Sequence, residues 1–234
     1  MEVHKPKFVK GFIAEILVIV IGISLAVTAE HIVEIYQHHK EESGVIKRMV
    51  IELQRDSSDL VYNLKYHQKA LDADSLLTKW SRKEIELPQN SIVIYASRSM
   101  VFTFFASSTA EIDALKGSGK LYLIQDHELL SSILKHYDRY DDFKLSTDLT
   151  MRISHRLGDM YSDNAGLDTH LSEIQNLEKL YAYNARELEK NLRGNKRFEN
   201  LLQEKRVMDA FVIQQTKGAL KRIKKIIETL NNQH

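Results

Sequence analysis

Apolar residues run almost unbroken from Gly11 to Ala29, as GFIAEILVIVIGISLAVTA, and then give way to a long stretch of apolar positions spaced three and four apart. The first pattern predicts a membrane helix. Nineteen residues at 1.5 Å each span roughly 28 Å, about one hydrocarbon core. Eleven of the nineteen are Ile, Leu, Val or Phe, which favours insertion by roughly 3–7 kcal/mol against at most about 3 for the single carboxylate, Glu15. Insertion is therefore expected. On a helix Glu15, Gly22 and Ala29 repeat every seven residues, with Gly11, Val18 and Ala26 beside them. Gly22 and Ala26 form a small-x-x-x-small pair that lets a second helix approach closely, so Gly11, Glu15, Val18, Gly22 and Ala26 are the expected helix–helix contact.

The second pattern continues the helix past the membrane, with only Gly44 as a weak interruption. Ile46, Val50, Leu53, Leu60, Leu64 and Leu71 form a seam of more than three heptads, broken by Ser57 and His67. It reads as an amphipathic helix packed on its own domain, with a coiled-coil stalk shared between protomers as the alternative. Lys83 to Gln89, with Pro88, ends it. The following β-branched and aromatic stretch, 91–106, is either a helix or a strand pair, and its helical surroundings favour helix. Ser108-Thr109-Ala110-Glu111 reads as a capping box for a short helix closed at Gly117-Ser118-Gly119, a turn motif with Gly119 in the left-handed conformation. Asp126 reads as the N-cap of a helix extending through Tyr137 and Tyr140 towards Leu157. A loop is expected over Asp159–Leu167, a helix over Leu171–Leu192 and a last one from Lys196 to about Leu230.

The fold class predicted is all-α: one N-terminal transmembrane helix continuing into an exported helical bundle with long, partly coiled-coil-like helices. The divisions are a cytoplasmic tail (1–10), the membrane helix (11–29), a juxtamembrane stalk (30–82) and a helical soluble domain (83–234). Lys5, Lys7 and Lys10 precede the span, whereas Glu30 to His39 carry no Lys or Arg, so the N-terminus is placed in the cytoplasm. A cleaved signal peptide ending at Val27-Thr28-Ala29 is the rival reading. Against it stand the length of the apolar run and the unbroken helix that follows.

Composition narrows the function classes. A formal charge of +1 with 28% charged residues argues against a nucleic-acid partner. The absence of cysteine removes disulfides and thiolate metal sites. No nucleophile elbow, dinucleotide loop or Walker loop is present. Three polar constellations remain. His31, Glu34, His38 and Glu42 share a helix face, but solvated polar residues at headgroup level explain them more simply than a metal. Lys217, Lys221, Arg222, Lys224 and Lys225 read as the solvated side of the last helix, with lipid or an acidic partner as the alternative. Asp138, Asp141 and Asp142 beside Tyr137 and Tyr140 read as solvated acids rather than a calcium loop. No catalytic residue, cofactor, metal or small-molecule substrate is assigned.

Two motifs resemble a known group. Ala14-Glu15-Ile16 with Val20-Ile21-Gly22-Ile23, and Leu115-Lys116-Gly117-Ser118-Gly119-Lys120-Leu121 leading to Tyr137, are similar to a large uncharacterised family of bacterial single-pass membrane proteins. The chain departs from the family's pattern at Ala14 and at Ala29-Glu30-His31-Ile32. The resemblance implies a bacterial inner-membrane protein with a periplasmic helical domain, and it implies no activity. The function expected is a non-enzymatic scaffold or interaction module of a cell-envelope assembly. Its partners are the lipid bilayer and a second copy or another membrane protein. The alternative is a subunit of an ion- or proton-driven machine using Glu15, and the third an undetected enzyme.

Overall fold

Helix α1 (Lys7–Ser81) is a single α-helix of 75 residues, about 110 Å long at 1.5 Å per residue. It belongs to a computed structural model that describes residues 7–165 and 177–232. After α1 come α2 (Gln89–Ser99), α3 (Ala110–Ser118), a 3₁₀ turn (Leu121–Leu123), α4 (His127–Asp138), α5 (Tyr140–Ala165), α6 (Leu177–Leu192) and α7 (Lys196–Asn232). No strand occurs among the described residues, and the fold is all-α.

The two halves of α1 have different surroundings. From Glu15 to Lys40 every residue is exposed. From Val45 onward α1 is the central helix of the bundle, running antiparallel to α7. Buried positions on α7 recur at threes and fours from Phe198 to Leu230, the spacing that lays one helix face on another. The seam residues Ile46, Leu53 and Leu60 are buried, and Val50, Leu64 and Leu71 are half-buried. This face is covered by the chain's own helices, so residues 45–81 share one core with residues beyond 83.

The interior has three layers along the α1–α7 pair. At the end nearer the apolar segment, Val45, Met49, Leu53 and Leu60 pack with Ile112 and Leu115 of α3, Ile133 and Tyr137 of α4, and Ile223, Ile226 and Leu230 of α7. At the far end Leu77 and Trp80 pack with Ile92 and Val93 of α2, Leu157 and Tyr161 of α5, Leu188 and Leu192 of α6, and Phe198 and Leu202 of α7. Between them lies a polar layer of His67, Asp74, Lys205, Asp209 and Thr216, all buried. At the near end Lys120 pairs with Glu41, and the His38 ring meets Tyr122 edge-on at 6.0 Å.

Several local expectations need correction. Residues 91–99 are helical, but the chain leaves the helix at Met100 and runs without regular structure to Thr109, so neither helix nor strand covers 100–106. Thr109 caps α3 without a side-chain bond; the Glu111 N–H is taken by Glu52 of α1 instead, and Glu111 itself reaches Arg48. A tertiary carboxylate has displaced the local capping box. Asp126 does cap α4, accepting from Glu128 and Leu129 N–H at 2.9 and 3.0 Å. The helix beyond is broken at Arg139, where α4 gives way to α5. Residues 159–165, expected as loop, continue α5, with Asn164 donating to the Met160 carbonyl at 2.7 Å. Residues 166–176, including the rest of that loop and the expected start of α6, lie outside the described residues. Gly119 has φ +70° and Gly194 +83°, each in the left-handed region that ends a helix.

Candidate functional site

The polar residues of the buried half of α1 hold the irregular segment 100–109. Glu52, Asp56, Asp59, Asn63 and His67 recur at spacings of four and three and so share one face. A segment without regular structure must find partners for its backbone elsewhere. Asp56 accepts the Ser108 N–H at 2.8 Å, Asp59 the Ala106 N–H at 3.0 Å, and Asn63 donates to the Phe104 carbonyl at 3.1 Å. His67 meets the Thr103 hydroxyl at 3.0 Å, and Lys205 of α7 donates to the Val101 carbonyl at 2.9 Å. Glu52 takes the Glu111 N–H at 3.1 Å, while Arg48 grips the Glu111 carboxylate with two bonds of 2.6 and 2.9 Å. A ladder of side chains on α1 thus replaces the secondary structure that the segment lacks.

The ladder ends in the buried charge cluster. Asp209 bridges two bases: one oxygen lies 2.7 Å from His67 Nδ1, the other 2.7 Å from Lys205 Nζ. All three side chains are out of solvent, which is tolerable because each charge has a direct partner. Asp74, two turns beyond His67, is fully buried and no donor reaches either of its oxygens. Burial, opposed by Lys205 and reinforced by Asp209, raises its carboxyl to about 8. Its neutral form supplies the missing hydrogen bond, donating towards Asp209. Nearby, the Tyr161 hydroxyl meets Ser99 Oγ at 2.8 Å and ties α5 to the end of α2.

A second buried cluster links α1 to the α4–α5 junction. Tyr140 donates to Asp56, and His136 Nε2 lies 2.9 Å from the Tyr140 oxygen. With the Tyr140 proton on Asp56, His136 must donate through Nε2, leaving Nδ1 without a partner. Burial first, then the charges of Arg222 and Arg139, lowers His136 to about 4, so the ring is neutral. Burial likewise raises Asp56, opposed by its bonds from Tyr140 and Ser108. Beside this cluster a cleft of about 490 Å³ opens between the irregular segment, α3 and the α4–α5 junction. Phe104, Phe105 and Phe143 wall it; Asp138 and Asp141 lie in its lining. Asp142 lies instead in the groove between α5 and α7, so the three acids do not converge.

The expected helix–helix contact residues that the structure describes lie on the surface of the chain. Glu15, Val18, Gly22 and Ala26 are exposed, and a Cβ added at Gly22 would meet nothing within 4 Å. Gly11 precedes them in α1, in a stretch whose side chains lie outside the described residues. Glu34 sits 3.8 Å from His31 and 3.9 Å from His38, all three exposed, and no metal-holding group of three such side chains occurs among the described residues. Lys217, Lys221, Lys224 and Lys225 are exposed, and Arg222 is half-buried.

Sequence reasoning missed the Asp74–Lys205–Asp209 part of the polar layer. Its signal was present: His67 interrupts the apolar seam of α1, and Lys205 and Asp209 interrupt that of α7 at an i, i+4 spacing. Among the described residues one helix is long and apolar enough to cross a membrane, the N-terminal part of α1, whose most apolar window has a mean hydropathy of 2.3 and no buried residue. Comparison of the chain with protein-family models, with curated proteins and with solved structures found no match.

Proposed function

We propose that this chain is a non-enzymatic, single-pass membrane protein that serves as a scaffold or interaction module of a bacterial cell-envelope assembly. Its N-terminus faces the cytoplasm and its bundle the periplasm, and it self-associates through Gly11, Glu15, Val18, Gly22 and Ala26. The observation that carries this reading is the continuity of α1: one helix carries the exposed apolar stretch and then becomes the central helix of the bundle. Ile16, Leu17, Ile19, Ile21, Ile23 and Leu25 are between 44% and 66% exposed, an apolar surface that water alone would leave unsatisfied. A pair of such helices in a bilayer fixes how two bundles stand relative to one another. The buried polar groups Asp56, Asn63, His67, Lys205 and Asp209 fit the same reading, because they bind one another and the backbone.

Cross-linking of the full chain in membranes tests it. The sequence has no cysteine, so single substitutions report cleanly. Ala26→Cys is expected to give disulfide-linked dimers, Ser24→Cys on the opposite face is not, and Gly22→Leu should abolish the dimer in the Ala26→Cys background. Monomers throughout, with no co-purifying membrane protein, would overturn the proposal.

A further inference from the structure

Lys135 and Arg139 at the end of α4 and Arg222 and Lys225 on α7 line one groove of about 350 Å³. Two carboxylates, Asp126 and Glu128, share the lining, so the four cations outnumber the acids two to one. An excess of like charge is costly, and the cost grows as the charges leave water. The Arg222 Nε is buried and has no hydrogen-bond partner. The buried His136 feels Arg139 and Arg222 together. Burial and Arg139 lower the Arg222 guanidinium. The fields of Tyr140 and Asp142 act the other way on Arg222. Of the two acids in the lining, Asp126 is engaged in capping α4.

We propose that the groove between α4 and α7 binds a soluble phosphate-bearing molecule, its phosphate held between Arg139 and Arg222. Forked guanidiniums match the tetrahedral oxygens of a phosphate, and Lys135 and Lys225 add point charges suited to a dianion. The Ser132 hydroxyl adds a neutral donor to the lining, while that of Thr229 is committed to the Lys225 carbonyl at 2.9 Å. The volume exceeds one phosphate, and the buried Leu129 and Ile226 give the remainder of the groove an apolar floor, so an organic phosphate fits better than the bare ion. A phospholipid headgroup offers the same chemistry but not the same position. The eight residues from Glu30 to Gln37 set the first contact of the bundle, Tyr122 on His38, about 12 Å beyond the apolar span, whereas the headgroup layer is only about 5–7 Å deep.

The test is calorimetric titration of the full chain, held in phosphatidylcholine nanodiscs, with pyrophosphate at fixed ionic strength. Saturable one-site binding is expected, weakened about tenfold or more in Arg139→Gln and Arg222→Gln and unchanged in Lys217→Gln, which lies outside the groove. Lys225→Gln, an exposed position that leaves the core intact, should weaken it several-fold and covers the case in which Arg222→Gln misfolds. Arg222→Gln should also raise the thermal midpoint of the empty protein, since it relieves the repulsion from Arg139. Absence of saturable binding, or equal binding in all four variants, would overturn the site. Binding seen only in discs that contain phosphatidic acid, with none to pyrophosphate, would overturn the soluble ligand and assign the groove to a lipid phosphate.

Discussion

From Glu15 to Tyr36, α1 exposes Leu17, Val18, Ile21, Ile23, Leu25 and Ile32; from Val45 to Ser81 the same helix buries Asp56, Asn63, His67, Asp74 and Thr78. Apolar groups stand outside and polar groups inside, on one continuous backbone. In water each exposed Ile or Leu forgoes about 1.5–3 kcal/mol of burial, so the first half is suited to an apolar medium. The second half inverts the rule by pairing: Asp56, Asn63 and His67 each meet a backbone group or an opposite charge of another element. What decides burial along α1 is whether a partner exists for the group, not the group's polarity.

The strongest way to break that comparison is to remove the partner. Asp209→Ala leaves the Lys205 ammonium buried and unpaired and takes the hydrogen bond from His67 Nδ1. Chemical denaturation of the full chain in detergent micelles should show a loss of about 3–5 kcal/mol. Val18→Ala in the exposed half should leave the bundle within about 0.5 kcal/mol of its original stability. An Asp209→Ala loss below about 1 kcal/mol would mean that the polar layer is solvated and not sealed.

The pH dependence of stability sharpens the point, because two buried groups pull in opposite directions. Asp74 titrates at about 8 in the folded chain and at about 3.9 unfolded, so between these values the folded state holds the extra proton. Its contribution is full below about pH 3.9 and is lost as pH rises through 8, at up to about 1.4 kcal/mol per pH unit. His136 titrates at about 4 folded and about 6.5 unfolded, so there the unfolded state holds the extra proton. Its contribution is present above about pH 6.5 and is lost as pH falls to 4. The slopes oppose each other from about pH 4 to 6.5, and Asp74 acts alone above that. Relative to the unsubstituted chain, Asp74→Asn should gain stability steadily from pH 4 to 8, and His136→Gln should gain only as pH falls below 6.5. Parallel profiles for all three proteins would show that neither group is buried in the titrating state.

The sequence made the helices legible because burial follows spacing: the α1 seam and the last helix lie where threes and fours recur. It misled wherever a tertiary partner outbid a local one. Ser108 and Glu111 spell a capping box, yet Asp56, Glu52 and Arg48 arrive from a helix some fifty to sixty positions earlier and take those groups. Phe102, Thr103 and Phe104 have the composition of a strand, but the segment pairs with side chains of α1 and needs no second strand. The candidate sites were legible in proportion to how local they are. Gly119 needs only its own φ, whereas the Arg139–Arg222 groove joins α4 to α7, and the basic run of α7 showed Arg222 and Lys225 without the α4 residues they face. His67 was visible as an interruption and silent about its partner.

The smallest effect is expected at Glu15, and there the comparison bears on function. Glu15 is exposed at the start of the apolar stretch, so Glu15→Gln should leave the stability of the bundle unchanged within about 0.5 kcal/mol. Gln keeps the shape and the hydrogen-bonding reach of a carboxylic acid but can neither carry charge nor pass a proton. If Glu15 contacts a neighbouring membrane helix, the Gln variant retains the Ala26→Cys cross-link and cellular function, and Glu15→Leu loses part of the cross-link because an interhelical hydrogen bond is worth only about 0.6–2 kcal/mol. If Glu15 relays protons, Gln leaves the cross-link intact and abolishes function. The two outcomes differ in function alone, so both must be measured in the same cells. A functional Gln variant removes the ion-driven machine from consideration and leaves the apolar run from Gly11 to Ala29 as an anchor whose one carboxylate serves assembly.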